Sequence, residues 1–275
     1  MSEQECTHDC SSCGVEGCGE REIQKLSTLP SAHIKKIIAV ISGKGGVGKS
    51  LVSSLLAKEL AEKGYKVGVL DADVTGPSIP KAFGAYAQAT GDEEGIYPVE
   101  SRKGMPLISV NSLLEDTSEP IIWRGSLISN FVGQLFSQTY WGELDFLVID
   151  MPPGTGDVPL TVFQQIPVDG VLVVSTPQDL VGLIVSKSVK MAQMMNVKTL
   201  GLVTNMAYVK CPDCGKKIFL YGEPSYSVAA SYGLEPLDEI GIDPTLAKMV
   251  DEGDIEAYEP HLLEKAVEAV IGLLK

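Results

Sequence analysis

At 275 residues and 44% hydrophobic composition, the chain has the length and apolar content of one α/β domain with some decoration. Its 36 acidic against 22 basic residues leave a net charge of −14, which argues against a nucleic-acid partner because phosphate contacts need a basic surface. No apolar run is long enough to span a bilayer, and the acidic, Cys-rich start is unlike a signal peptide, so the expected location is cytoplasmic with no membrane partner.

Residues 1–30 read as a Cys-rich, metal-binding tail, poor in aliphatics, with Cys6, Cys10, Cys13 and Cys18. In a reducing compartment, 6 cysteines in all suggest metal ligation more than disulfides. From Ile34 onward, apolar runs alternate with helical patterns. Strands are predicted at 37–42, 67–71, 105–110, 145–150, 170–175, 199–204 and 236–240, and helices at about 49–63, 124–139, 179–195 and 260–274. The strands are Val/Ile/Leu-rich without polar alternation, as a parallel sheet covered on both faces requires. This predicts a doubly wound, mostly parallel α/β sheet over residues 31–275, with ligand loops at the carboxyl ends of the strands. The Gly- and acid-rich stretch 84–104 has no place in that alternation and is a candidate β-hairpin. The last helix gathers Leu263, Ala266, Val267, Val270, Ile271 and Leu274 on one face. Its polar face carries Glu264 and Glu268 beside Lys265, which favours packing on the sheet over an anionic lipid surface.

The first strand runs into Gly43-Lys-Gly-Gly-Val-Gly-Lys-Ser50, the phosphate-loop pattern G-x-x-x-x-G-K-[ST] in its strand–turn–helix setting. Gly43, Gly45, Gly46 and Gly48, with Val47 between, let the backbone bend its N–H groups into an anion nest. The following helix adds its free N–H groups. Lys49 would neutralise the β- and γ-phosphates and Ser50 would hold Mg²⁺, so the expected ligand is ATP with Mg²⁺. The second strand closes on Asp71 and Asp73, of which one can reach the Mg²⁺ shell while the other approaches the attacking water. The fourth ends Phe146-Leu-Val-Ile-Asp150, a hydrophobic run closing on an acid, expected to ligate Mg²⁺ through water. It opens the turn Met151-Pro-Pro-Gly-Thr-Gly156, suited to sensing a γ-phosphate through the Gly154 N–H.

Beyond Asn205 lies Cys211-Pro-Asp-Cys214-Gly215, a pair whose spacing lets both sulfurs ligate one metal. One pair supplies two thiolates where zinc and [4Fe–4S] sites need four. The other two come either from the tail or from a second copy across a two-fold axis.

Lys44 beside the first glycine makes the loop resemble the deviant Walker A motif of the MinD, ParA and nitrogenase iron-protein group. Gly43–Ser50, Asp71–Ile79, Asp150–Asp157 and Cys211–Cys214 together resemble the Mrp-type iron–sulfur cluster carrier ATPases, related to ApbC, over about residues 33–270. The resemblance implies a slow ATPase with Lys44, Lys49 and Asp73 as the catalytic set, Lys44 crossing a dimer interface and Asp73 orienting water, with Asp71 nearer the metal. It implies that Asn205 contacts the adenine, aided by the Pro177-Gln-Asp179 turn. It further implies a homodimer holding a labile [4Fe–4S] cluster between Cys211 and Cys214 of both copies, for transfer from cluster donors to apo-proteins. The tail spacing resembles the cytosolic scaffold branch, with a shorter first gap, and leaves a cluster, zinc (with His8) or no metal open. The competing readings are a positioning ATPase with a structural zinc knuckle, and a reductase that keeps its cluster.

Overall fold

The computed structural model describes residues 24–73, 76, 78–113, 125–177, 183–221, 229 and 233–275, with the backbone alone at 125, 126, 157 and 183–186. Cys6, Cys10, Cys13, Cys18, Gln178 and Asp179 lie outside the described residues.

The central strand β1 (His33–Ser42) begins as a polar ribbon and becomes fully buried from Ile37. It is four residues longer at its start than its apolar run predicts, because Lys35 and Lys36 are held there by Asp145 at 2.7 Å and Asp169 at 2.9 Å. Two parallel neighbours flank it, β7 (Glu143–Asp150) and β8 (Gly170–Ser175). β2 (Val67–Asp71) and β6 (Pro106–Ser109) extend the sheet beyond β7, and β9 (Lys198–Thr204) and β12 (Pro236–Glu239) extend it beyond β8. A short antiparallel strand, β5 (Val99–Glu100), closes the β6 edge. The order is β12-β9-β8-β1-β7-β2-β6-β5, the doubly wound parallel architecture expected, with its ligand ends at Ser42, Asp71 and Asp150.

Alternation along β1 divides the core. Ile38 and Val40 pack with Val52, Leu55, Leu56 and Leu60 of α1 (Lys49–Glu62) on one face. Ile37, Ala39 and Ile41 pack on the other with Phe136 of α3 (Gly125–Gln138) and Phe163 of α4 (Asp157–Gln165). Both faces are therefore covered, which is why the strands read as continuous apolar runs.

Within 84–104 the expected hairpin is present, β3 (Thr90–Gly91) pairing antiparallel with β4 (Ile96–Tyr97). Three helices went unread, one of them the short Ser78–Ala82. α4 follows the Pro/Gly turn and contains Pro159, which is harmless in a first turn where no intrahelical N–H is required. α6 (Pro244–Asp251) carries its own signal: Asp243 caps it by accepting from the Thr245 N–H at 2.8 Å, with proline in the first turn. Besides α2 (Ser78–Ala82) and α5 (Leu183–Met194), the last helix is α7 (Glu264–Ile271). It starts later than predicted because the Glu59 carboxylate takes the Leu262 and Leu263 N–H groups at 2.7 and 3.3 Å and holds that stretch straight. Leu263, Ala266, Val267 and Val270 are fully buried in the core, as the packing reading expects. Among the described residues no helix is long and apolar enough to cross a membrane.

Candidate functional site

The loop between β1 and α1 turns through Gly46 and Gly48, at φ +79° and +80°, backbone that side chains rarely adopt. Gly48 has a second constraint, since a Cβ there would stand 2.1 Å from Asn205 Nδ2. No side chain caps α1, so its first-turn N–H groups remain available to an anion. They border a cavity of ≈ 370 Å³ lined by Ser42, the loop from Lys44 to Leu51, Asp73 and Pro153. A larger cavity of ≈ 620 Å³ opens at the opposite end of the sheet between Lys58, Tyr65 and Trp141. The smaller one is the site on chemical grounds, because it alone of these two has the glycine nest and the helix start.

Strand register brings the acids to this cavity. Asp71 is the cross-strand neighbour of Asp150 on one side and of Ser109 on the other, so Ser109, Asp71 and Asp150 form a row across β6, β2 and β7. All are shielded from solvent. Lys49, 5% exposed, lies 2.8 Å from Asp150 Oδ1 and 3.7 Å from Asp73 Oδ2. Ser50 Oγ donates to Asp150 Oδ2 at 2.6 Å, and Ser53 Oγ donates to Oδ1 at 2.6 Å. Burial pushes the Asp71 carboxyl well above its ordinary range and the Asp150 charge pushes the same way, against the pull of Lys49 and the donors Asp73 N–H and Ser109 Oγ. The oxygens of Ser50, Asp71 and Asp150 form a hard, anionic donor set that fits Mg²⁺.

The two remaining expectations meet a different geometry. The Gly154 N–H donates to the Ser42 carbonyl at 2.9 Å, so in this conformation it closes the turn against the loop and does not face the cavity. Asn205, 2% exposed, donates from Nδ2 to the Val47 carbonyl at 2.9 Å and so braces the loop from beneath. Met206 follows with a left-handed φ of +54°, a strained turn for a side-chain-bearing residue. The chain then rises directly into the cysteine segment.

That segment is a two-rung ribbon, β10 (Val209–Lys210) against β11 (Lys217–Ile218), closed by a turn in which Gly215 N–H donates to the Cys211 carbonyl at 2.9 Å with φ +71°. Both thiols are free, Cys214 exposed and Cys211 partly so. The Cys214 N–H, then the Asp213 N–H and the Cys214 thiol, hold the Cys211 thiol below the ordinary range. Cys211 is therefore expected to alkylate with iodoacetamide at a pH where an unstructured cysteine is still mostly thiol. Peptide mass spectrometry across a pH series checks this, and a profile matching a model peptide would refute it. Among the described residues no third His, Cys, Asp or Glu joins this pair to form a metal site, so it stands there as a two-thiol site. Ile218, Leu220, Tyr221 and Met206 are exposed beside it, together with Lys210, Lys216 and Lys217.

Comparison with known proteins decides the family. The model described as the NUBPL iron-transfer P-loop NTPase matches residues 33–274. The chain belongs to that family. A relative from Clostridium perfringens, named an iron–sulfur cluster carrier protein, is 46% identical over 90% of both chains. Another of that name from Saccharolobus solfataricus is 42% identical, over 81% of this chain and 76% of its own. Among solved structures, a nucleotide-binding protein from Archaeoglobus fulgidus in complex with ADP superposes with a TM-score of 0.74 at 44% identity, covering 83% of this chain and 90% of its own. The MinD cell division protein of Aquifex aeolicus, at TM-score 0.59 and 17% identity over 87% of this chain and 96% of its own, shares the fold.

Against this family background, the structure gathers Lys44, Lys49, Ser50, Asp71, Asp73, Asp150 and Asn205 around one loop, with Lys44 lining the cavity. It leaves the thiols outside that cavity. The Asp157 side chain lies outside the described residues. Two residues that support the site's acids from outside the cavity escaped the sequence reading, Ser53 and Ser109. Ser53 stands one helical turn after Ser50, a spacing that puts both hydroxyls on one face and was available as a signal. Ser109 had none, because only strand register sets it beside Asp71.

Proposed function

We propose that the protein is an ATP-dependent iron–sulfur cluster carrier that holds a labile [4Fe–4S] cluster and gives it up to apo-proteins. The observation that carries this reading is one chain joining a complete phosphate loop to a solvent-facing thiol pair through the short run Asn205–Cys211. In this reading the loop and Lys49 bind the phosphates of ATP, while Ser50, Asp71 and Asp150 hold Mg²⁺. The metal would supply charge neutralisation at the β- and γ-oxygens. Asp73 orients the attacking water, and Lys44 completes the site of a second copy.

Cys211 and Cys214 of two copies supply the four thiolates that such a cluster takes. Three features support that pairing. Soft thiols suit iron–sulfur cargo, exposed Ile218, Leu220 and Tyr221 offer apolar surface for a second copy, and the flanking lysines suit an anionic cluster. The tail cysteines form a separate metal site in this reading, and the free thiols fit a reducing, cytoplasmic location. Coupling runs through Asn205. Phosphate entering the nest shifts the Val47 carbonyl that Asn205 grips, and the strained Met206 turn passes that shift to the ribbon. Release of the Gly154 N–H from Ser42 is the matching event on the other side of the loop.

Incubating the reconstituted protein with an apo [4Fe–4S] dehydratase tests the proposal. Recovery of dehydratase activity in proportion to cluster lost by the carrier supports it, and a cluster retained throughout would favour electron transfer instead. Asp73→Asn keeps the site's shape while weakening its negative charge. It should bind ATP and hydrolyse it at least about tenfold more slowly, in line with loss of a proton-accepting or water-orienting group. Phosphate release at wild-type rate would remove Asp73 from the mechanism.

A further inference from the structure

Ser50 faces two demands on one hydroxyl. In the structure it donates to Asp150 Oδ2 at 2.6 Å, yet metal binding at the phosphate loop would turn its oxygen toward Mg²⁺. Through a lone pair it can hold the metal and still donate to Oδ2, but the donor on the other carboxylate oxygen must come from elsewhere. Ser53 supplies the other: fully buried, it donates to Oδ1 at 2.6 Å from the next turn of α1, with its oxygen also 3.1 Å from the Lys49 carbonyl. The two serines thus hold separate oxygens of the same carboxylate. Lys49 reaches Oδ1 as well, at 2.8 Å, but it too is called away when phosphate binds. Among the contacts of Asp150 described above, the one from Ser53 is the one whose donor serves neither ligand. Burial fixes it further, since α1 packs Ser53 against the sheet with no water to compete.

We infer that Ser53 is a positioning residue of the Mg²⁺ site: it keeps Asp150 aimed when Ser50 and Lys49 turn to metal and phosphate. The inference rests on the nucleotide-site reading above and adds a residue to it. Ser53 touches neither nucleotide nor metal, so its removal should act on the metal-dependent part of binding alone. Outer-shell partners of metal ligands typically change metal affinity by about 10- to 100-fold when removed.

The test uses the full chain and a fluorescent N-methylanthraniloyl-ADP, first in EDTA and then through a Mg²⁺ titration. Wild type, Ser53→Ala and Ser53→Cys are compared, with thermal melts to show that each is folded. The cysteine is close to isosteric but a weak donor. In both variants, nucleotide affinity in EDTA should stay at the wild-type value while the Mg²⁺ midpoint rises about 10-fold or more. A midpoint unchanged in Ser53→Ala would overturn the inference. So would a shift seen in Ser53→Ala and restored by Ser53→Cys, which would make Ser53 a packing residue. Wild-type protein that binds no nucleotide at all would overturn the nucleotide reading itself, a result recognisable before any variant is measured.

Discussion

Lys49→Ala is expected to lose ATP binding by at least about a hundredfold while the protein stays folded. Lys49 is nearly buried and stands within ion-pair range of both Asp150 and Asp73. Truncating one member of a buried charge pair costs about 3–5 kcal/mol, much of it from the partner left without a counter-charge. Separately, the phosphates lose charge-assisted bonds to Lys49 of about 1.5–3 kcal/mol each, and each 1.4 kcal/mol is about tenfold in affinity. In the variant, the phosphates of ATP would meet a cavity in which Asp73 and Asp150 have lost the Lys49 counter-charge. The fold escapes the full cost because the buried Asp71 can keep its proton. Lys49 is the strongest of the influences holding the Asp71 carboxyl down, and without it that buried acid keeps its proton to higher pH. The sign matters: a proton kept on Asp71 relieves its repulsion by Asp150 in the empty site but restores no cation for phosphate. Titration calorimetry with ATP and Mg²⁺ checks the expectation. Undiminished binding would dismiss the phosphate loop as the site. Lys49→Arg should also bind poorly, since a planar guanidinium cannot replace a compact ammonium inside the nest.

The parts of this site that could be read from the chain are those encoded by contiguous residues. Gly43–Ser50 announces itself because an anion nest needs glycines, a cation and a hydroxyl in fixed order. Asp150 does so because an apolar strand must end before it can carry an acid. The parallel sheet was equally legible, since strands covered on both faces leave no polar alternation, as β7 and β8 show. Register lies beyond such patterns. Nothing local tells Ser109 that it will neighbour Asp71, or that Asn205 will lie beneath Gly48 and take the Val47 carbonyl. The family resemblance implies a base contact for Asn205. Its amide instead bonds the loop, a role visible only once β9 and β1 are placed on either side of β8. Two of the missed helices have another cause: prolines at 159 and 244 break a propensity pattern while fitting a first turn.

Replacing Cys211 and Cys214 with alanine is expected to remove the bridging cluster completely and leave ATP binding intact. The thiols sit on a two-rung ribbon outside the nucleotide cavity, and the residue that contacts the loop is Asn205, ahead of the ribbon. The backbone of the knuckle turn is shaped by Gly215 and by N–H groups of the main chain, so losing the sulfurs should not unfold it. To separate this site from the tail, the measurement starts from a full-length background in which Cys6, Cys10, Cys13 and Cys18 are serine. After anaerobic reconstitution, that background should hold about four irons and four sulfides per two chains, the content of one four-thiolate cluster. The further loss of Cys211 and Cys214 should bring both to zero. Either cysteine alone should be nearly as damaging, because a two-fold site loses two ligands at once when one residue is changed. Zinc without sulfide in the background protein would instead make the ribbon a structural knuckle. That outcome would leave the chain an ATPase of the iron-transfer family whose cargo binds elsewhere. Iron retained after both cysteines are gone, with none of the 6 left in the chain, would remove the pair from the site and mark that iron as adventitious.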